Sequence, residues 1–300
     1  MRVQYSESVL EYFKEIQPAI GPTVEGLRAP WKLFRYDRGE DRYYFEFPMG
    51  GGKRAYLSVT SFCSRSLPAP QLGKWKGDVG NDFAEMYSAY TAAYGTFMHT
   101  QITEIMRTGR GDFRELKELA FEEAHATGFK QGSLEWQDKI VNDVASFMLF
   151  VRERNVEVIA AEIMVKSDKY ELAGAVDLVC RMDFAKGRVN SIVDLKSGQK
   201  GFWDSHRLQL HCYRSLWNEQ FEEVFPVTHV FNWAPQNIRT KTQYKLENQT
   251  DHYFSDSVEQ RMAIAKTEGW IKPPGAVFEL EGEFFVEAFN LSDHLTKKDI

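Results

Sequence analysis

The feature that most constrains the fold is a pair of short apolar stretches separated by a turn signal. Residues 170–182 are rich in Leu, Val and Ala, a turn signal follows at 183–187, and a second apolar run occupies 189–195. Apolar runs bounded by turn residues predict a β-hairpin or two neighbouring strands. Pairing these two strands would bring Asp177 and Asp194 close together in space.

Two carboxylates that converge on one point repel each other unless a cation lies between them. Carboxylate oxygens suit Mg²⁺ or Mn²⁺, which leave their remaining positions to water and substrate phosphate. Lys196 lies two residues beyond Asp194, and on a strand such residues point to the same face. An ammonium group there can hold a water or stabilise charge on a phosphate. Asp177, Asp194 and Lys196 therefore predict metal-dependent hydrolysis of a phosphodiester.

These residues belong to an ordered pattern of three motifs. G-x-V-D occupies residues 174–177, D-L-K-S-G occupies 194–198, and Q-x-x-x-Y runs from Gln209 to Tyr213. The pattern resembles the RecB-type exonuclease branch of the PD-(D/E)xK nuclease superfamily. The resemblance implies that Asp177, Asp194 and Lys196 form the active site. Gln209 and Tyr213, on one face of the following helix, are expected to orient Lys196 and the scissile phosphate.

A further motif of the same resemblance, G-T-x-x-H at residues 95–99, lies inside a predicted helix and follows S-V-T at 58–60. The resemblance implies that His99 is a metal ligand or a neighbour of the active site. From the residue alone, a histidine on a helix face beside the core is the commoner interpretation.

Glu162 lies in a predicted strand among Ala, Ile and Met residues. A carboxylate buried there without a partner is costly. Two interpretations remain open: an exposed side chain at an edge, or a carboxylate that faces the metal or holds a basic partner. RecB-type sequences resemble this chain in having a Glu on the strand before G-x-V-D.

The order of elements predicts an α/β fold: a mixed central sheet flanked by helices, like restriction endonucleases. Residues 1–57 are expected to form an N-terminal helix and a β-meander attached to the core, and residues 58–300 the nuclease domain. The predicted strands are 31–36, 42–47, 54–59, 156–165, 170–182, 189–195, 227–233 and 242–246; the predicted helices are 82–106, 113–126, 133–154, 204–221 and 253–267.

Composition narrows the class of protein. The three cysteines lack a CxxC spacing, so we expect no disulfide framework, and three cannot supply the four ligands of an iron–sulfur cluster. No apolar run approaches the roughly 18 residues of a membrane span, and the acidic N-terminal residues do not look like a secretory or transit signal. We expect a cytoplasmic protein without a membrane partner, of bacterial or phage origin.

The net charge of −6 counts mildly against a nucleic-acid partner, although a nuclease needs only a local basic groove. The predicted partner is DNA, as single strands or DNA ends, and the predicted activity is exonucleolytic, in recombination, repair or phage DNA processing. An endonuclease of the same superfamily and a non-catalytic DNA-binding or assembly subunit are the alternatives. Phe202 and Trp203 are either base-stacking or core residues.

Overall fold

The computed structural model describes residues 33–38, 41–46, 54–67, 70–108, 111–185, 187–198, 201–238, 241–252, 254, 257–270 and 286–287. These residues form nine strands and seven α-helices. The strands are β1 (Leu33–Arg38), β2 (Asp41–Glu46), β3 (Arg54–Ser58), β4 (Glu157–Ser167), β5 (Leu172–Phe184), β6 (Gly187–Leu195), β7 (His229–Ile238), β8 (Lys241–Asn248) and β9 (Val286–Glu287). The helices are α1 (Val59–Ser66), α2 (Pro70–Val79), α3 (Asn81–Thr108), α4 (Phe113–Ala126), α5 (Ser133–Glu153), α6 (Asp204–Phe221) and α7 (Val258–Thr267).

All of these strands join one mixed sheet, in the order β8-β7-β6-β5-β3-β2-β1-β9, with β4 paired to β5 outside this path. The predicted hairpin is confirmed: β5 and β6 pair antiparallel from Leu178 opposite Val193 to Phe184 opposite Gly187. The sheet is mixed because β6 runs parallel to β7, whereas β7 and β8 are antiparallel. The predicted fold class, a mixed sheet with flanking helices, is therefore confirmed.

The predicted meander forms from β1, β2 and β3, which pair antiparallel in sequence order. Its last strand then joins the main sheet, because β3 pairs parallel with the start of β5 at Leu172 and Ala173. β4 occupies the other edge of β5 along its length, so β3 and β6 lie on the same edge. On this edge, between β3 and β6, residues 174–177 of β5 face no strand in the described part of the chain. The candidate active site lies at this gap.

Helices cover both faces of the sheet. On one face, α3, α4 and α5 bury a core with β5 and β6 residues such as Leu178 and Val193. On the other face, α1, α6 and α7 form a second core that includes Val179 and Ile192. Ile192 and Val193 thus point to opposite faces, as strand geometry requires. Asp194 shares the parity of Ile192 and is directed to the side of α6.

Local signals explain where the predicted boundaries shift. The third predicted strand extends one residue too far, because the side chain of Ser58 accepts a hydrogen bond from the Ser61 amide and begins α1. The prediction contained neither α1 nor α2. Helix α7 begins later than predicted, where Ser257 and Gln260 form a capping box. The predicted helix within residues 1–30 and the turn at 48–53 lie outside the described residues.

Among the described residues, no helix combines the length and the apolar character that crossing a membrane requires.

Candidate active site

The hairpin places the two motif aspartates where β5 and β6 begin to separate. Leu178 and Val193 are the last paired residues at this end, so Asp177 and Asp194 occupy the next positions. The backbone amide of Leu195 donates to Oδ2 of Asp177 at 2.7 Å, which fixes that carboxylate across the gap. The structure therefore brings together the two carboxylates that the hairpin pattern placed side by side.

His99 from α3 and Glu162 from β4 meet Asp177 at the same place. Nδ1 of His99 lies 3.6 Å from Oε1 of Glu162 and 3.6 Å from Oδ1 of Asp177. One possible ligand atom from each residue lies within 4.8 Å of the other two. We call His99, Glu162 and Asp177 the acidic cluster. Of the two interpretations of Glu162, this geometry favours the carboxylate that faces the site.

The backbone of Glu162 departs from regular strand geometry. Its φ angle is +49°, although it lies between residues that pair normally, Ala161 with Leu178 and Ile163 with Val176. The alternation of side chains between the two faces of the sheet shifts by one residue here. Ala160 and Ile163 would face opposite sides of a regular strand, yet they pack in the same core. A non-glycine residue in this region costs about 1–3 kcal/mol, and such strain concentrates at functional sites. No signal in the sequence predicts this irregularity.

The charges of the acidic cluster do not balance. Burial alone lowers the pKa of His99, but the carboxylates of Asp177 and Glu162 outweigh it and raise that pKa to about 10. Burial raises the pKa of Glu162, with the nearby Asp177 adding to the effect. Burial also opposes ionisation of Asp177, yet His99 and Lys196 hold its pKa below the ordinary value. When Glu162 and Asp177 are both ionised, two carboxylates share one imidazolium, and the cluster has an excess of negative charge.

Lys196 lies on the other side of Asp177 and bonds the second aspartate. Its Nζ donates to Oδ1 of Asp194 at 2.8 Å and to Oε1 of Gln209 at 3.4 Å. Burial alone lowers the pKa of Lys196, but Asp194 and Asp177 outweigh it and raise that pKa. Lys196 therefore carries its proton. An ammonium has three donors, and these bonds account for two of them.

The helix residues Gln209 and Tyr213 complete this arrangement. Nε2 of Gln209 lies 3.3 Å from the Tyr213 hydroxyl, so Gln209 connects the tyrosine to Lys196. We call Asp194, Lys196, Gln209 and Tyr213 the Lys196 network. The Tyr213 ring lies over Gly174, where an added Cβ would sit 2.9 Å from the ring and hydroxyl. The glycine of G-x-V-D is thus required by close packing of Tyr213.

Asp194 differs from Asp177 in its surroundings. Its side chain is 2% exposed, and Nδ2 of Asn232 donates to its Oδ2 at 2.8 Å. Burial raises the pKa of Asp194 to about 6, although Lys196 opposes the shift. Asp194 lies outside the three-residue group of possible metal ligands. Its role as a metal ligand therefore stays a prediction, and its observed contacts are to Lys196 and Asn232.

Asn232 is the site residue that the sequence prediction missed. It is fully buried on β7 and lies opposite Asp194 in the parallel register. The available signal was an amide within the predicted apolar strand 227–233, since a buried amide requires partners. The parallel pairing of β6 with β7, which joins residues 38 apart in sequence, supplies that partner.

Residues at the start of α6 divide into buried and exposed groups. Phe202 is 7% exposed and Trp203 is 52% exposed, which leaves only Trp203 available for stacking. His206 is neutral because burial, followed by the charge of Lys196, lowers its pKa to about 3. Arg207 bonds Asp204 at 2.6 Å. The sequence predicts a basic groove that includes Lys53, Lys196, Lys200, His206 and Arg207, of which Lys53 and Lys200 lie outside the described part of the chain.

A mixed sheet with carboxylates and a lysine at the separating ends of a hairpin defines a class of nucleases. The family model of the PD-(D/E)XK nuclease superfamily matches residues 76–274, more than half of the chain. The chain belongs to this superfamily, and its membership indicates nuclease activity with DNA as the substrate. Members of this superfamily generally use divalent metals. No curated protein matches the chain in a sequence comparison.

Proposed function

We propose that this protein is a metal-dependent exonuclease that hydrolyses DNA phosphodiester bonds. The observation that carries the proposal is the convergence of His99, Glu162 and Asp177 from three separate elements beside a protonated Lys196. A hydrolase of phosphodiesters needs positive charge on the phosphate and a held water. The acidic cluster attracts a cation, and the Lys196 network provides a fixed cation of its own.

The acidic cluster fits Mg²⁺ or Mn²⁺. Glu162 and Asp177 offer hard carboxylate oxygens, and the imidazole of His99, after metal binding displaces its proton, is a ligand that Mn²⁺ accepts as well. The excess of negative charge in the cluster is the physical reason for a divalent ion. Asp177 and Asp194 are the ligands that the motifs assign, with His99 and Glu162 beside Asp177. A cation bound there acts as a Lewis acid and lowers the pKa of water.

Lys196 positions the attacking water or a phosphate oxygen. Asp194 and Gln209 hold two of its donors, and the third is directed to the substrate. Because its pKa is raised, Lys196 acts as a fixed positive charge and donor and does not remove a proton from water. Gln209 and Tyr213 keep the ammonium in place from α6. The proton of the attacking water, whose pKa a bound cation would lower, would be released to solvent.

The preference for DNA ends rests on the RecB-type resemblance, which combines G-T-x-x-H before the core with Q-x-x-x-Y after it. Trp203 supports a single-stranded substrate, because its exposed indole precedes the helix that carries Gln209 and Tyr213. Stacking on an aromatic ring holds an unpaired base without sequence preference. By the same resemblance, we place the protein in bacterial or phage recombination, repair or DNA processing in the cytoplasm.

Linear and closed substrates of one sequence test this proposal. Linear single-stranded DNA labelled at one end and a covalently closed single-stranded circle are incubated with Mg²⁺ or Mn²⁺. We expect progressive degradation of the linear strand and survival of the circle. Rapid cutting of the circle would contradict the exonuclease proposal and favour an endonuclease. Binding of both substrates without cleavage, with either ion, would favour a non-catalytic DNA-binding subunit.

A further inference from the structure

Ser197, the residue that follows Lys196, is approached by two helices, α5 and α3. The backbone amide of Lys196 donates to the Trp233 carbonyl at 2.8 Å, so β7 anchors this residue from one side. The next residue, Ser197, lies beyond the end of β6 at Leu195. Its carbonyl accepts a hydrogen bond from Nζ of Lys139 on α5 at 3.3 Å. The backbone around Lys196 is thus held by β7 at its own amide and by α5 at the carbonyl of the next residue.

Lys139 is held by an ion pair in an apolar environment. It pairs with Asp143 one turn along α5, and Asp143 is fully buried. The Tyr94 hydroxyl donates to Oδ2 of Asp143 at 2.7 Å, and Nζ of Lys139 lies 4.0 Å from the centre of the Tyr94 ring. A buried ion pair contributes little net stability, because desolvation offsets the attraction. Its geometric effect is to direct the ammonium of Lys139 at the Ser197 carbonyl.

Gly95 on α3 lies close to the side chain of Ser197. A Cβ at Gly95 would lie 3.1 Å from Oγ of Ser197 and 3.9 Å from its Cβ. Glycine destabilises a helix interior relative to alanine, so its presence in the middle of α3 calls for a packing reason. The close approach of α3 to Ser197 supplies that reason. We call Tyr94, Gly95, Lys139 and Asp143 the Lys139 cluster.

We infer that the Lys139 cluster positions Lys196 for catalysis by fixing the Ser197 peptide, with Lys139 and Gly95 as positioning residues. The inference rests on the proposed phosphodiester hydrolysis. Lys196 already has partners for its ammonium, but these partners do not fix where its backbone lies. A displacement of about 1 Å at a reacting group can cost about a hundredfold in rate. Substitutions that remove the contacts of Ser197 or displace it should therefore reduce kcat and leave DNA binding unchanged.

A double-mutant cycle at Gly95 and Ser197 tests the contact through α3. Gly95→Ala is expected to lower kcat about tenfold or more, because its Cβ pushes Oγ of Ser197. In the Ser197→Ala background the same substitution should cost much less, since the clashing oxygen is absent. The metal concentration at half-maximal rate should not change in either background, which separates this effect from a displacement of His99 on the same helix.

A second comparison tests the contact from α5. Removing Lys139 alone would leave Asp143 buried without its cation, so Lys139→Met is combined with Asp143→Asn, which keeps an acceptor for Tyr94. Against Asp143→Asn alone, the double variant should show a fall of about tenfold to a hundredfold in kcat with unchanged KM. The control is Lys117→Met, because Lys117 also pairs with an acid, Asp138, and lies 5.0 Å from the ring of Phe113.

The results separate this inference from the proposed function. If the unmodified protein cleaves no DNA, the proposed function fails. If it cleaves DNA, an equal Gly95→Ala penalty with and without the Ser197 hydroxyl overturns the contact through α3. An unchanged kcat in the Lys139→Met/Asp143→Asn variant overturns the contact through α5. Thermal melts identify any variant that fails to fold, and in that case the other comparison decides the inference.

Discussion

The two halves of the candidate site, the Lys196 network and the acidic cluster, both contain carboxylates. They differ in how the negative charge of these carboxylates is matched. In the Lys196 network, the carboxylate of Asp194 is matched by one lysine at 2.8 Å and by the amide of Asn232. In the acidic cluster, Glu162 and Asp177 share the single imidazole of His99 at 3.6 Å. The first half is balanced in charge, and the second has an excess of negative charge. The neighbours of a carboxylate thus determine whether its charge is matched.

The largest expected effect comes from removing the charge of the acidic cluster. Asp177→Asn should lower the cleavage rate by about a thousandfold or more, because it removes a metal-facing carboxylate. The amide oxygen can still accept from Leu195, so the fold should remain. Because the pKa of Asp177 is lowered in the folded protein, its ionised form stabilises the fold above the ordinary carboxyl pKa. The metal-free melting temperature at neutral pH should therefore fall slightly.

Cleavage assays and thermal melts without metal measure both expectations for Asp177→Asn. Asp183→Asn is the control, since it removes a half-exposed carboxylate at the far end of the same hairpin. Substantial cleavage by Asp177→Asn would contradict the assignment of the acidic cluster.

The next largest effect concerns the Lys196 network. Lys196→Ala should lower kcat by about a hundredfold to a thousandfold, with DNA binding and the metal titration unchanged. Lys196→Arg should not restore activity, because a planar guanidinium cannot replace an ammonium held between Asp194 and Gln209. Single-turnover cleavage and fluorescence anisotropy with labelled DNA separate rate from binding. Full activity of Lys196→Arg would show that Lys196 contributes only its positive charge.

The smallest expected effect is on the metal requirement of cleavage, and it should come from variants of the acidic cluster. Glu162→Gln and His99→Ala should each raise the metal concentration at half-maximal rate, by about tenfold. Glu162→Gln should also raise the metal-free melting temperature at neutral pH, because burial raises the pKa of Glu162 and its ionised form therefore destabilises the fold. Asp177→Asn should shift the melt in the opposite direction. An unchanged metal titration for both variants would return His99 and Glu162 to structural roles.

Much of the fold could be predicted because its signals are local. The predicted helices 113–126 and 204–221 match α4 and α6 at both ends, since their apolar spacing and end residues lie within the helices themselves. The hairpin followed from two apolar runs and a turn. The prediction missed the helices α1 and α2. At α1 the β-branched residues Val59 and Thr60 favour a strand, and the N-cap at Ser58 is the signal that favours a helix.

The candidate site was predicted in part for the same reason. Asp194 and Lys196 share a strand face, and Gln209 and Tyr213 share a helix face, so their neighbour relations follow from spacing alone. The position of Asn232 did not follow from spacing, because it depends on the parallel pairing of β6 with β7. The positive φ of Glu162 likewise depends on its pairing with β5.

The sequence by itself determined most of the elements, the order of the motifs and the superfamily that they resemble, because each of these depends on residues near one another in the chain. Only the tertiary structure decided which partner each carboxylate has. Asp177 and Asp194 are the same residue type on adjacent strands, and their own motifs do not distinguish their charges. Residues from α3 and β4 surround one, and a residue from β7 contacts the other. Electrostatic interactions act through space, so packing separated an aspartate that shares a histidine with Glu162 from one that is paired with a lysine.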